Sequence, residues 1–240
     1  GSALLVANIS VDNVKHLVDS FGPSILNGLR SKTGGPCIDE FMMMSHTSMN
    51  FENKNISFYS ESSSSTIKPV ALIGSGPSLD QSLSELQRIQ DQCILVAAGS
   101  SIGSLLKAGI RPHFHVLLER GYQGQVRDVY RDLLNQCNLK DFGEIVGVVP
   151  TSIDPRLPEL YRRTLMYART GQSPVIAWPS LNKASLRYEG PECLSAAFSF
   201  AIHLYPKAVL MFGCDLGSVA RSSSRSKGAV GQSSRDFALR

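Results

Sequence analysis

Five short apolar runs constrain the fold of this chain more than any other feature: Pro69-Val70-Ala71-Leu72-Ile73, Cys93-Ile94-Leu95-Val96-Ala97, Phe114-His115-Val116-Leu117-Leu118, Ile145-Val146-Gly147-Val148-Val149 and Ala208-Val209-Leu210-Met211-Phe212. Runs this short, with almost no polar alternation, suit strands buried on both faces, as in parallel sheets. Amphipathic stretches separate them. Leu79, Leu83, Leu86 and Ile89 fall on one helical face after the first run. Ile102, Leu105 and Leu106 follow the second and lead to Gly109, placed where a left-handed helix cap belongs, with Pro112 beyond it. A third helix is read over Gln125 to Gln136, and a later one from about Glu192 to Leu204 with Leu194, Ala197, Phe198, Ala201 and Ile202 on one face. The alternation predicts an α/β fold with a doubly wound, mostly parallel, Rossmann-like sheet.

The flanks do not share this rhythm. Ala3 to about Met44 is irregular apart from a helical stretch around Val11 to Phe21, and Gly34-Gly35-Pro36 reads as a break. Ser60-Glu61-Ser62-Ser63-Ser64-Ser65 reads as a low-complexity linker. The expected division is therefore residues 1–65 as a small N-terminal partner segment with its linker, 66–217 as a nucleotide-binding α/β domain, and 218–240 as a flexible basic tail carrying Arg221, Arg225, Lys227 and Arg235. Residues 150–189 hold five prolines and a short strand at Leu165-Met166-Tyr167-Ala168, and are expected to run over the binding face.

A net charge of +4, from 24 basic and 20 acidic residues, suits an anionic ligand without calling for nucleic acid. Five widely spaced cysteines, an odd number, point to a reduced, cytoplasmic protein. No apolar run approaches the roughly 18 residues of a membrane span. Gly1-Ser2 reads as a cloning remnant rather than a signal sequence, so an excised segment is expected.

The first candidate site is the turn Gly74-Ser75-Gly76-Pro77-Ser78 between a strand and a helix. Glycines let backbone approach a ligand, Ser78 is expected to cap the helix with Gln81 completing a capping box, and exposed amides at a helix start favour phosphate. The turn is neither a dinucleotide fingerprint, because Leu79 holds the third glycine position, nor a P-loop, because no Gly-Lys-Ser/Thr follows. The alternative is a plain strand-to-helix connection. Ser100 and Ser101, Glu119-Arg120 and Asp215 follow later strands, at the ends where open α/β sheets bind ligands. The two carboxylates could orient a ribose or a metal, or be solvated loop charges. Gly190-Pro191-Glu192 opens the later helix and offers a second amide-lined terminus.

His113 and His115 flank Phe114, whereas His16, His46 and His203 have no partner spacing. No His and Cys cluster resembles a zinc site, and no metal is expected. Cys193 has no His beside it in sequence and reads as a buried thiol, and Met42-Met43-Met44 as core or contact surface.

Three segments together resemble the flagellar motility accessory factor family, within the wider group that includes the archaeal 6-hydroxymethylpterin diphosphokinases. They are Pro69 through Asp80, Ser104 through Pro112, and Gly190-Pro191 through Gly213-Cys214-Asp215-Leu216-Gly217, and the resemblance covers about residues 66 to 217. It implies transfer of a nonulosonic acid, of sialic, pseudaminic or legionaminic type, from its CMP-activated form to Ser or Thr of flagellin. The glycine turn and the later apolar helix followed by Gly-x-Asp are also similar to bacterial sialyltransferases that use CMP-sialic acid. By this resemblance Gly74, Ser75, Gly76, Pro77 and Ser78 would contact the nucleotide and Gly190 and Asp215 would line the cleft; Ser100 and Glu119 are expected beside them from their places at the strand ends. The donor would be a CMP-sugar and the acceptor flagellin, with no further cofactor. Mg²⁺ would enter only if the chain were instead a pterin diphosphokinase using ATP. A third reading is a non-catalytic nucleotide-binding or flagellin-docking module. The family usually has Asp where Glu119 stands and commonly Pro where Arg120 stands, and no His or Tyr here matches a sialyltransferase catalytic residue. The general base is thus unassigned.

Overall fold

The computed structural model describes residues 35–61, 68–118, 129–217 and 225–230, with side chains from Glu40 onward. The strands are β1 (Ile56–Phe58), β2 (Val70–Ile73), β3 (Ile94–Ala98), β4 (Phe114–Val116), β5 (Val146–Pro150), β6 (Arg163–Tyr167) and β7 (Val209–Phe212). They form one sheet in the order β1-β6-β5-β4-β3-β2-β7, and every pair is parallel. The helices are α1 (Gly35–Phe51), α2 (Leu79–Ile89), α3 (Ser101–Lys107), α4 (Val129–Gln136), α5 (Leu139–Phe142), α6 (Ser173–Ala177) and α7 (Cys193–His203).

Successive strand side chains point to opposite faces, and the core divides accordingly. Ala71, Ile73, Leu95 and Ala97 join Leu79 and Leu86 of α2 and Ile102 and Leu105 of α3 in one layer. Val70, Leu72, Val96 and Ala98 join Ala196, Ala197, Phe200 and Ala201 of α7 in the other. The sheet is thus covered on both faces, as the apolar runs require. Gly109 has φ +72°, the left-handed value expected after α3.

Three expectations change. Helix α1 begins at Gly35, within the triplet read as a break, and makes helical a stretch up to Met44 that was expected to be irregular; a proline in the first helical turn removes no needed hydrogen bond. Its buried residues are Met43, His46, Thr47 and Asn50, a helical spacing that is mostly polar and therefore absent from the hydrophobic pattern. Asn50 Nδ2 donates to the carbonyls of Thr151 and Ile153 at 2.8 Å each, and Phe51 meets Trp178 edge-on, with ring centroids 5.3 Å apart. With β1 paired to β6, the sheet takes strands from both sides of the serine tract.

Second, α7 buries Ala196, Ala197, Ser199, Phe200 and Ala201, whereas Phe198 and Ile202 are 40% and 45% exposed. A helix apolar nearly all round does not specify which face packs, and here the small residues allow close approach to the sheet. Third, β7 is an edge strand with Leu210 and Met211 exposed, although its sequence is as apolar as that of β2. The stretch Val11 to Phe21 lies outside the described residues.

The pairing of β2 with β7 continues beyond both strands: Gly74 N–H donates to the Phe212 carbonyl and Gly76 N–H to the Gly213 carbonyl, each at 2.8 Å. A Cβ on Gly74 would overlap the Gly213 carbonyl oxygen, and one on Gly213, which has φ +60°, would lie 2.6 Å from the Gly74 oxygen. Backbone cannot swing aside as a side chain can. Gly74→Ala should therefore destabilise the protein by about 3 kcal/mol, at the upper end of ordinary overpacking. A thermal melt should show this as a fall in Tm of roughly 6–12 °C for a chain of this size; an unchanged Tm would mean that the two turns can separate freely.

Candidate functional site

Beyond the carboxyl ends of β2, β3 and β4 lies a cleft of about 580 Å³. Gly74, Ser75 and Gly76 border it after β2, and Ala98, Gly99 and Ser100 border it where β3 passes into α3. Leu117, Leu118, Val129 and Leu133 make an apolar wall, and Pro191, Glu192, Cys193 and Leu194 bring the first turn of α7 against it. Gly213, Leu216 and Gly217 follow from the end of β7, and Arg225 and Val230 complete the lining. This is the position at which open parallel sheets bind ligands, beside the strand where the chain reverses direction across the sheet. An apolar wall facing a small polar group set is the composition of a small-molecule site.

The predicted residues divide. Gly74, Ser75, Gly76 and Ser100 line the cleft. Pro77 and Ser78 do not. Ser78 has helical dihedrals and no side-chain capping bond, so the expected capping box does not form. Asp215 does that work from outside: its carboxylate accepts the Ser78 N–H at 2.8 Å and the Ser78 hydroxyl at 2.5 Å. Asp215 is therefore committed to the start of α2, although its neighbours Gly213 and Leu216 reach the cleft. Gly190 stands one residue before the lining, beside the guanidinium of Arg169, which lies 3.9 Å from Glu189. Pro191 precedes the extended N-cap residue Glu192 rather than starting α7 itself. Glu119 and Arg120 lie outside the described residues. No residue of 150–189 lines the cleft, so that proline-rich segment does not cover the binding face as expected.

Arg225 comes from the segment read as a flexible tail, and the sequence carried no signal for its position beyond positive charge. Its Nη1 donates to Ser100 Oγ at 2.9 Å, and Ser100 Oγ donates to Ser75 Oγ at 3.0 Å. Three polar side chains, from the turns after β2 and β3 and from residues 225–230, thereby meet at one edge of the cleft.

His115, in β4, is fully buried beneath this edge. Nε2 lies 2.8 Å from the Gly99 carbonyl and Nδ1 lies 2.8 Å from the Tyr161 hydroxyl. The carbonyl can only accept, so Nε2 carries the proton and Tyr161 donates to Nδ1. Burial pushes the His115 pKa down to about 4, and burial also holds the Tyr161 phenol well above its ordinary range. The pair therefore stays neutral and fixes the turn between β3 and Ser100 from below. Tyr167 acts similarly through its hydroxyl, which donates to the Leu117 carbonyl at 2.8 Å. His113, by contrast, sits at the other end of β4 and accepts the Leu95 N–H. Among the described residues no group of three or more His, Cys, Asp and Glu side chains could hold a metal ion, and no helix is long and apolar enough to cross a membrane.

Residues 43–220 match the model of the family described as 6-hydroxymethylpterin diphosphokinase MptE-like. That span contains all three segments on which the resemblance was read. Among solved structures, the Maf glycosyltransferase from Magnetospirillum magneticum AMB-1 is similar, with 28% sequence identity and a TM-score of 0.70. The alignment covers 76% of this chain and 28% of that one, so the chain corresponds to a minor part of its neighbour's length. No curated protein matches the sequence.

The neutral His115 predicts a specific acid sensitivity. Above pH 6.5 the imidazole is uncharged in both folded and unfolded chains, and the stability of the arrangement is fully present. As pH falls from 6.5 towards 4 the unfolded chain takes up a proton that the folded site refuses. The loss should grow to about 3 kcal/mol, since each pKa unit is worth about 1.4 kcal/mol. Urea unfolding at pH 7 and pH 4.5 reads it directly. A His115→Gln variant should show a shallower dependence, and an unaltered slope would place the acid sensitivity elsewhere.

Proposed function

The chain belongs to the 6-hydroxymethylpterin diphosphokinase MptE-like family, and from that premise we propose that it is the donor-binding core of a glycosyltransferase acting on a CMP-activated nonulosonic acid. The single observation that carries this reading is the cleft at the ends of β2, β3 and β4, with glycine turn, apolar wall and helix start together, in a chain 28% identical to a solved glycosyltransferase. The apolar wall suits the face of a pyrimidine and its ribose, and the polar groups at the edge of the cleft suit a phosphate.

In the reaction, the hydroxyl oxygen of a flagellin Ser or Thr attacks the anomeric carbon of the sugar. The bond from that carbon to the phosphate oxygen breaks, and CMP departs with the electron pair. A base accepts the acceptor's proton. Preorganised donors around the leaving phosphate are the main means by which a site of this kind lowers the barrier. In this reading the donor needs no resident metal, the acceptor is flagellin, and the transfer takes place in the cytoplasm and supports flagellar assembly and motility. The family description favours one rival, ATP-dependent diphosphoryl transfer to a pterin, in which Mg²⁺ would carry the phosphates.

Calorimetric titration distinguishes these. CMP should bind in EDTA with a dissociation constant in the micromolar range, about −8 kcal/mol, and a labelled CMP-nonulosonate should pass its sugar to flagellin when the whole protein is supplied. Mg²⁺-dependent ATP binding with no CMP binding would replace this reading with the diphosphokinase.

A further inference from the structure

The segment 225–230 is packed rather than loose. Ser226 and Val230 are buried, Ser226 N–H donates to the Ser75 carbonyl at 2.8 Å, and Val230 N–H donates to the Ser100 carbonyl at 2.9 Å. The Lys227 N–H reaches the Asp80 carboxylate at 3.1 Å, and the Ser226 hydroxyl pairs with that of Ser104. A Cβ on Gly103 would lie 2.5 Å from the Gly228 carbonyl, so α3 and this segment touch through backbone. The segment is therefore a strap bound to both turns that border the cleft, and it carries Arg225.

We propose that Arg225, Ser100 and Ser75 form the phosphate subsite of the cleft, and that the start of α2 does not. The assignment rests on reading the cleft as a nucleotide site and says where in it the anion lies. The start of α2 already holds the Asp215 carboxylate, which accepts two hydrogen bonds from Ser78. A phosphate placed there would meet a like charge and find those donors taken. On the opposite side of the same glycine turn, the bonds run in one direction: Arg225 donates to Ser100, and Ser100 donates to Ser75. Each hydroxyl has one proton, so that of Ser75 is left for an acceptor in the cleft, and Arg225 itself borders the cleft. A planar, permanently charged fork beside a hydroxyl is the donor set that phosphate oxygens select. The strap thus brings the cation, and its bonds to the Ser75 and Ser100 carbonyls hold the two serine-bearing turns in register.

Titration of the full chain with CMP, cytidine and inorganic phosphate tests this. Arg225→Gln should weaken CMP about 10- to 100-fold, the usual effect of losing hydrogen bonds to a charged group, and should abolish phosphate binding while leaving cytidine affinity unchanged. Ser75→Ala should weaken CMP and phosphate in the same pattern, whereas Ser78→Ala should lower Tm without changing either affinity. Arg225→Lys, which keeps the charge and the strap, should recover only part of the loss. Wild-type affinity for CMP and phosphate in Arg225→Gln would overturn the subsite and leave the CMP reading standing. Equal loss of cytidine would overturn it too, by showing that the variant damages the whole cleft. Arg225-dependent phosphate binding without any CMP binding would uphold the subsite and remove the CMP reading. No phosphate binding by the wild-type chain would overturn the subsite.

Discussion

The backbone junction between the turns after β2 and β7 is the constraint from which the rest of the site follows. Gly74 and Gly76 donate to carbonyls of Phe212 and Gly213, and the space between the two chains admits no side chain at Gly74 or Gly213. This contact brings Asp215 to the start of α2, where it supplies the cap that Ser78 does not. Beside it, residues 225–230 close on the starts of α2 and α3. The glycines are therefore required by contact between two protein segments, whatever ligand the turn also meets.

The cleft is held from below by neutral groups. His115 and Tyr161 satisfy each other and the Gly99 carbonyl inside the sheet, where a charged imidazole would be costly. Tyr167 does the same for the Leu117 carbonyl. Above them the charged residues are at the rim: Arg225 beside Ser100, Glu192 at the start of α7, and Asp215 turned to Ser78. Charge is thus excluded from the supporting layer and gathered where a polar ligand and water can share it. This division keeps the strand ends rigid beneath a polar rim.

Much of this was legible in the sequence, and the failures have identifiable causes. Apolar runs gave the order of β2 through β5 and β7 because a strand buried on both faces must be apolar throughout. They could not show that β7 is an edge, since its composition matches that of an interior strand. Helix α1 went unread because the face buried by Met43, His46, Thr47 and Asn50 is mostly polar, and Asn50 is held by backbone carbonyls rather than by apolar surface. The face of α7 was misread because Phe198 and Ile202 share its apolar character without its packing. Ser75 and Ser100 were found from their places after strands, whereas Arg225 sits in a serine-rich, basic stretch whose composition resembles a solvated tail.

By itself, the sequence determined the α/β class, the parallel sheet, the glycine turn after β2 and the family, because each depends on residue type and spacing along the chain. Only the tertiary structure decided that Asp215 caps α2, that His115 is a support beneath the cleft, and that residues 225–230 bring Arg225 to Ser100. Those depend on contacts between residues more than 100 positions apart in two of the three cases and between adjacent strands in the other. Local pattern carries no record of such contacts, since the same side chain that is solvated in an extended chain becomes a cap or a ligand-facing donor once the backbone brings a partner to it.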